Sequence, residues 1–211
     1  MGVRARVVAG TAVALAAAGA LAAGCAGQGT APDRAGQPGG ATVPGGATVT
    51  DGCATATSPP AMTIDGTPQP ANQEELGQLV QRIQPTVERP FASVYAGIAM
   101  EQERNRVVIY RIPSTALDDM VLARFRTECV ELRDAAHSAV ELARLQERIT
   151  ADMRYWRGQG INVNTVGARG DGSGVEVGVS DVAKARPRLL QRYGAGAPLI
   201  VIKEEPTLFG G

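Results

Sequence analysis

Apolar residues recur at helical spacing in Leu76, Leu79, Val80 and Ile83, which predicts a helix from Gln73 to about Glu88 that Pro85 ends or kinks. Ile98–Met100 and Val107–Ile112 are apolar runs on either side of the polar stretch Gln102–Arg106, the pattern of a β-hairpin. Leu117, Val121 and Phe125 then mark the inner face of a helix capped by Ser114 or Thr115, with Asp118 and Asp119 in its first turn. A strand is expected over about Glu128–Arg133. The longest periodic run is Leu142, Leu145, Ile149, Met153 and Trp156. Ser138 and Glu141 fit a capping box at its start, and Gly158 and Gly160 stop it. Ile161–Val166 and the alternating Val175, Val177 and Val179 predict two strands around the glycine-rich turn Ala168–Gly174. Ser180 is the expected cap of a helix ending at Tyr193 and Gly194 and interrupted by Pro187. Leu199–Ile202 is a short, wholly apolar strand.

Side by side, these elements repeat. VVIYRIPSTALDDMVLARF followed by ECVELRD has the element order of VEVGVSDVAKARPRLLQRY followed by PLIVIKE. Each reads strand, cap, helix with an aromatic at its end, strand, and each has a hairpin partner before it. The expected fold is therefore α+β: two ββαβ units, about residues 91–134 and 161–205, with antiparallel sheets and helices packed on one face, joined by the central helix Ser138–Trp156. The domain is expected to span residues 72–211, long enough to bury roughly two-thirds of its unfolded surface.

The front of the chain reads differently. Over residues 26–71 Gly, Ala, Thr and Pro dominate, no apolar period is visible, and Asp33, Arg34, Asp51 and Asp65 are the only charges. Such a segment is expected to be a disordered tether, with a root-mean-square reach of about 35–40 Å. Before it, Arg4 and Arg6 precede the uncharged stretch Val7–Gly24, which ends in Leu21-Ala22-Ala23-Gly24-Cys25. A positive start, an apolar stretch and small residues at a cleavage point read as an export signal over residues 1–24. A small residue followed by Cys resembles the lipobox of bacterial lipoproteins, with Ala22 where the commonest form has Leu. That resemblance implies a diacylglycerol on Cys25, membrane lipid as a partner, and anchoring to the extracytoplasmic face of the cell membrane. An ordinary leader cut near Ala23, releasing the protein, is one alternative; a retained transmembrane helix is another, though the run is barely long enough to span and is poor in large side chains.

Composition narrows the chemistry. The net charge of +0 argues against a nucleic-acid partner bound by phosphate neutralisation. Aromatics are 4%, so the core must be aliphatic. His137 is the sole histidine and sits beside a helix cap, which leaves a hydrolytic triad or histidine-rich metal site little to build on. Cys53 and Cys129 remain after Cys25. They can pair outside the cytoplasm if the front segment folds back across the sheet, or stay free. Arg169-Gly170-Asp171 sits on a hairpin tip, as an adhesion tripeptide or as an ordinary turn. The carboxylates Glu101, Glu103, Asp118, Asp119, Glu204 and Glu205 fall near turns or helix starts, and Asp171 alone is too few ligands for calcium. No catalytic residue, metal or cofactor is expected.

Phe91–Ile112 (FASVYAGIAMEQERNRVVIYRI), with GVEVGVSDVAKARPRLLQRYG and PLIVIKEE, resembles secreted or lipoprotein-type actinobacterial proteins of unknown function. More distantly it resembles the pro-domains of streptogrisin and alpha-lytic type serine peptidases, through Ala96, Gly97, Val107, Val108 and the repeated element order. Those pro-domains carry an aromatic and an Asp where this chain has Ala99 and Glu101. The resemblance implies a fold and a peptidase-facing surface, and no catalytic residue. The expected role is a non-enzymatic, envelope-associated protein that binds a secreted or envelope protein. The alternative is a stand-alone inhibitor or folding chaperone of an extracellular serine peptidase, with Leu208 or Phe209 of the C-terminal tail entering its cleft.

Overall fold

The structure, a computed structural model, describes residues 41–43 and 47–205. Regular structure begins well before Gln73. β1 (Ala41–Val43) and β2 (Ala47–Val49) pair antiparallel, and β2 also pairs antiparallel with the strand that begins at Val130, with Thr48 opposite Leu132 and Val49 opposite Glu131. A 3-10 turn, Asp51–Ala54, follows. Next comes an exposed ribbon of β3 (Ala61–Ile64) and β4 (Thr67–Pro70), closed by Asp65 and Gly66, both with positive φ. The expected tether over residues 25–71 is thus corrected over 41–43 and 47–71, which belong to the folded body; the leader and Cys25 lie outside the described residues.

The reason is that strands this short carry no periodicity of their own. β1 and β2 are both Ala-Thr-Val, from two copies of the hexapeptide PGGATV. Their order is imposed by a neighbour rather than by an apolar face. Buried Thr50 completes the join, its Oγ1 accepting from the Val130 N–H at 2.9 Å and donating to the Glu128 carbonyl at 2.5 Å.

The first repeat follows. α1 (Gln73–Val87) buries Leu76, Leu79, Ile83 and Val87 on one stripe and contains Pro85 without ending there. β5 (Tyr95–Glu101) and β6 (Arg106–Arg111) form the antiparallel hairpin. α2 (Thr115–Arg124) is capped by Ser114, whose Oγ accepts from the Leu117 N–H. β7 (Val130–Asp134) returns parallel to β6. The sheet order is β1-β2-β7-β6-β5. Val107, Ile109, Val130 and Leu132 meet α1 and α2 in one aliphatic core.

The second repeat has the same form. α3 (Ala139–Ala151) is capped by Ser138, and α4 (Met153–Gly158) continues it after a break at Asp152, where one uninterrupted helix is expected. β8 (Val163–Ala168) and β9 (Val175–Val179) pair antiparallel. α5 (Val182–Tyr193) is capped by Asp181 rather than Ser180, since the Asp181 carboxylate accepts from the Lys184 N–H at 3.0 Å. β10 (Leu199–Lys203) lies parallel to β9, giving the order β10-β9-β8. Leu142, Leu145, Ile149, Trp156, Val175, Val177 and Leu189 form a second core.

The fold is α+β, two ββαβ units joined by the central helix. Within each sheet the hairpin pairs are antiparallel, and the pair bridged by a helix is parallel, because a crossover helix brings the chain back to start the next strand in the same direction. α3 is more than a connector. It packs on β8 and β9 as α1 packs on β5 and β6, so the repeated unit is αββαβ.

The modules touch where the β8–β9 turn meets β5. A Cβ on Gly97 would lie 2.0 Å from the Gly170 carbonyl oxygen, so only glycine allows this approach. The His137 N–H donates to the Gly172 carbonyl at 3.1 Å in the same place.

Candidate functional site

Cys53 and Cys129 are joined as a disulfide, with Cα atoms 4.1 Å apart. Cys53 sits in the 3-10 turn after β2, and Cys129 immediately precedes β7, so the bond staples the added strand to the sheet. Gly52 makes the approach possible, since a Cβ there would lie 2.4 Å from the Thr127 carbonyl oxygen. Asp51 adds an exposed ion pair with Arg126 at 2.6 Å.

The face of the first sheet turned away from α1 and α2 carries a closed ring of four charges. Glu101 of β5 accepts from Arg106 Nε at 2.7 Å and from Arg133 Nη1 at 2.6 Å. Glu131 of β7, 5% exposed, accepts from Arg133 Nε at 2.6 Å and pairs with Arg106 Nη1. Each carboxylate therefore meets both guanidiniums. Burial pushes the Glu101 carboxyl up, but hydrogen bonds from Arg133 and Arg106 outweigh it and hold it below its ordinary value. Four residues on three strands compose the ring, so no local spacing in the sequence announces it. The signal was Arg106 at the outward parity of β6 with Glu131 and Arg133 at that of β7, visible only once the three strands are laid side by side.

A second ionic group is buried at the other end of this sheet. Arg111, 3% exposed, makes two bonds to Asp118 of α2, at 2.6 and 2.9 Å, and pairs with Asp134 at the end of β7. Asp118, expected to complement the helix start, thus also ties α2 to the strands on either side of it.

In the second module, Asp152 at the α3–α4 break accepts two bonds from Arg192, at 2.7 and 2.8 Å, and one from the Tyr193 hydroxyl at 2.8 Å. The Trp156 indole N–H donates to the same hydroxyl at 2.9 Å. Arg192 holds the Asp152 carboxyl below its usual range, and burial pushes the Tyr193 hydroxyl up to about 12. This network fastens α5 to the central helix.

The remaining candidates have local roles. His137 Nδ1 lies 2.9 Å from Glu141 one helical turn on. Arg169 lies 3.7 Å from Asp171, and Asp171 accepts from Ser173, which shapes the turn that rests on Gly97. Glu204 folds back over Gly178 to the Thr165 hydroxyl, and Lys203 pairs with Glu205 at 3.1 Å. Glu103 lies in the β5–β6 turn. Among the described residues no group of three or more His, Cys, Asp or Glu side chains is placed to hold a metal ion. Leu208 and Phe209 lie outside the described residues.

Among the described residues no helix is long and apolar enough to cross a membrane. No protein-family model matches the chain, and no curated protein matches it.

Proposed function

We propose that this chain is an exported lipoprotein, held on the outer face of a cell membrane through a diacylglycerol on Cys25, whose two-module body binds another envelope or secreted protein without catalysing a reaction. The observation that carries this reading is Leu21-Ala22-Ala23-Gly24-Cys25 at the end of an uncharged stretch. The Cys53–Cys129 bond supports it, since disulfides persist in oxidising compartments and are rare in the cytosol. The ionic groups argue for a scaffold, because Glu101, Glu131, Asp118 and Asp152 are each paired with arginine and tie one element to another. Between Cys25 and Ala41 the chain reaches at most on the order of 50 Å, which keeps the body near the membrane surface. The pro-domain resemblance supplies one class of partner, an extracellular serine peptidase.

The test is labelling with radioactive palmitate and cell fractionation. The wild type is expected to take up label and sediment with membranes. Cys25→Ala is expected to take up none and to appear in the medium or remain unprocessed. A wild type that incorporates no label overturns the proposal.

A further inference from the structure

β7 and β10 are the same strand in two copies of one unit, each entering its sheet parallel to the second hairpin strand. The registers Val107↔Val130 and Val175↔Leu199 align them, so Glu131 corresponds to Ile200, Leu132 to Val201 and Arg133 to Ile202. The outer edge of β7 is occupied by β2 and stapled by the disulfide. Among the described residues nothing pairs with the corresponding edge of β10.

The polar groups on that edge can be identified. The Val175 N–H donates to the Pro198 carbonyl at 2.7 Å, and the Glu204 N–H to the Val179 carbonyl at 2.9 Å. Even-numbered residues of β10 therefore bond to β9, and the backbone groups of Leu199, Val201 and Lys203 point away from it. The Leu199 N–H is already taken by the Ala197 carbonyl at 2.7 Å. What remains outward is the N–H of Val201 and Lys203 and the carbonyls of all three. Over Leu199–Ile202 the edge of β10 carries no proline, no bulge and no charge.

We propose that β10 pairs antiparallel with β10 of a second copy of this chain, about a two-fold axis through Val201. Ile200-Val201-Ile202 reads the same in both directions, so the axis sets Ile200 of each copy against Ile202 of the other. Those are non-hydrogen-bonded pairs, where side chains come closest. The four isoleucines, half-buried in the single chain, form one apolar patch on the face that α5 leaves open. Val201 N–H meets Val201 carbonyl twice, and Lys203 N–H meets Leu199 carbonyl twice; with the Leu199 N–H already taken, the Lys203 carbonyl at each end of the ladder is left to solvent. No like charges face each other: Lys203 lies opposite Leu199 and Glu204 opposite Pro198. The product is a continuous six-stranded sheet with a self-complementary interface. A peptide strand from another protein would satisfy the backbone equally but would give no reason for the palindrome.

The test is the mass of the full chain in excess detergent, measured by light scattering from about 1 to 100 μM. A dimer that grows with concentration is expected. Ile202→Lys puts two charges into the patch and is expected to weaken association at least tenfold with the Trp156 fluorescence unchanged. Val201→Pro is the second variant, since it removes an N–H that makes no bond among the described residues, and it is also expected to be monomeric. Mixing Ile200→Cys and Ile202→Cys chains is expected to give a disulfide-linked dimer under mild oxidation. A single-chain mass at 100 μM overturns the proposal, and so does a dimer that persists in both variants.

Discussion

The two modules share an αββαβ order, parallel and antiparallel pairs in the same places, and an aliphatic core of similar make-up, yet they finish their sheets in opposite ways. In the first, the outer positions of the last strand are Glu131 and Arg133, both in the charge ring, and its edge is covered by β2. In the second, those positions are Ile200 and Ile202 and the edge is uncovered among the described residues. The core-facing residues scarcely distinguish the modules, so what separates them is how surface and edge are treated. A repeat preserves the fold through its buried positions and leaves the others free to diverge towards closure in one copy and contact in the next.

The largest effect that can break this comparison is loss of the staple. Cys53 and Cys129 are 76 residues apart. By the loop-entropy relation a closure of that length contributes about 4.5 kcal/mol. The double variant Cys53→Ser/Cys129→Ser is expected to lose roughly that much from the first module and to release β2 from β7. The only tryptophan, Trp156, lies in the second core and reports on that module. Urea unfolding followed by amide exchange in β7 and by Trp156 fluorescence is expected to show β7 unfolding much earlier, with the fluorescence transition little moved. A shift of equal size in both signals would mean that the modules unfold as one unit.

A core cavity in the second module sharpens the same contrast from the other side. Ile149 of α3 is fully buried against β8 and β9. Ile149→Ala is expected to cost about 2–5 kcal/mol. The loss is expected chiefly in the fluorescence transition, and a change under about 0.5 kcal/mol would place Ile149 outside the core. Met153, expected on the same seam, is only half-buried because the helix breaks at Asp152 and rotates the following turn.

Much of this was legible in the sequence where side-chain periodicity was strong. Leu142, Leu145 and Ile149 mark α3, the valines at 175, 177 and 179 mark β9, and the two ββαβ runs emerge from simple alignment. What stayed hidden was order imposed by distant partners. β2 has three residues and no pattern, and it is a strand because β7 offers an edge and Thr50 and Cys53 have partners near Val130. The Asp181 cap was hidden for a local reason, since Ser180 and Asp181 are both good caps and the helix begins one residue later. The ring of Glu101, Arg106, Glu131 and Arg133 was hidden because its neighbours lie on different strands.

That ring is the smallest energetic difference between the modules, and pH separates its charge from its packing. Glu101 is about a quarter exposed, so solvent screens its bonds, and Glu101→Gln is expected to cost under about 1 kcal/mol at neutral pH and low salt. The sign of the pH dependence follows from the carboxyl being held below its ordinary value by Arg133 and Arg106 against the upward push of burial. The folded protein then prefers the ionised form more than the unfolded chain does. The contribution is full above the ordinary glutamate range and is lost as pH falls through the lower folded value. Glu128 and Asp152 are shifted the same way by Arg82 and Arg192, so wild type and variant both weaken in acid. The difference between them isolates Glu101. It is expected to be largest near pH 7, to shrink towards pH 3, and to shrink again at pH 7 in about 1 M salt, where screening acts within roughly 3 Å. Denaturant midpoints of the two proteins across that grid decide the matter. A difference unchanged by both acid and salt would mean that Glu101 serves by filling space on the open face of β5, and that the two modules differ there in shape rather than in charge.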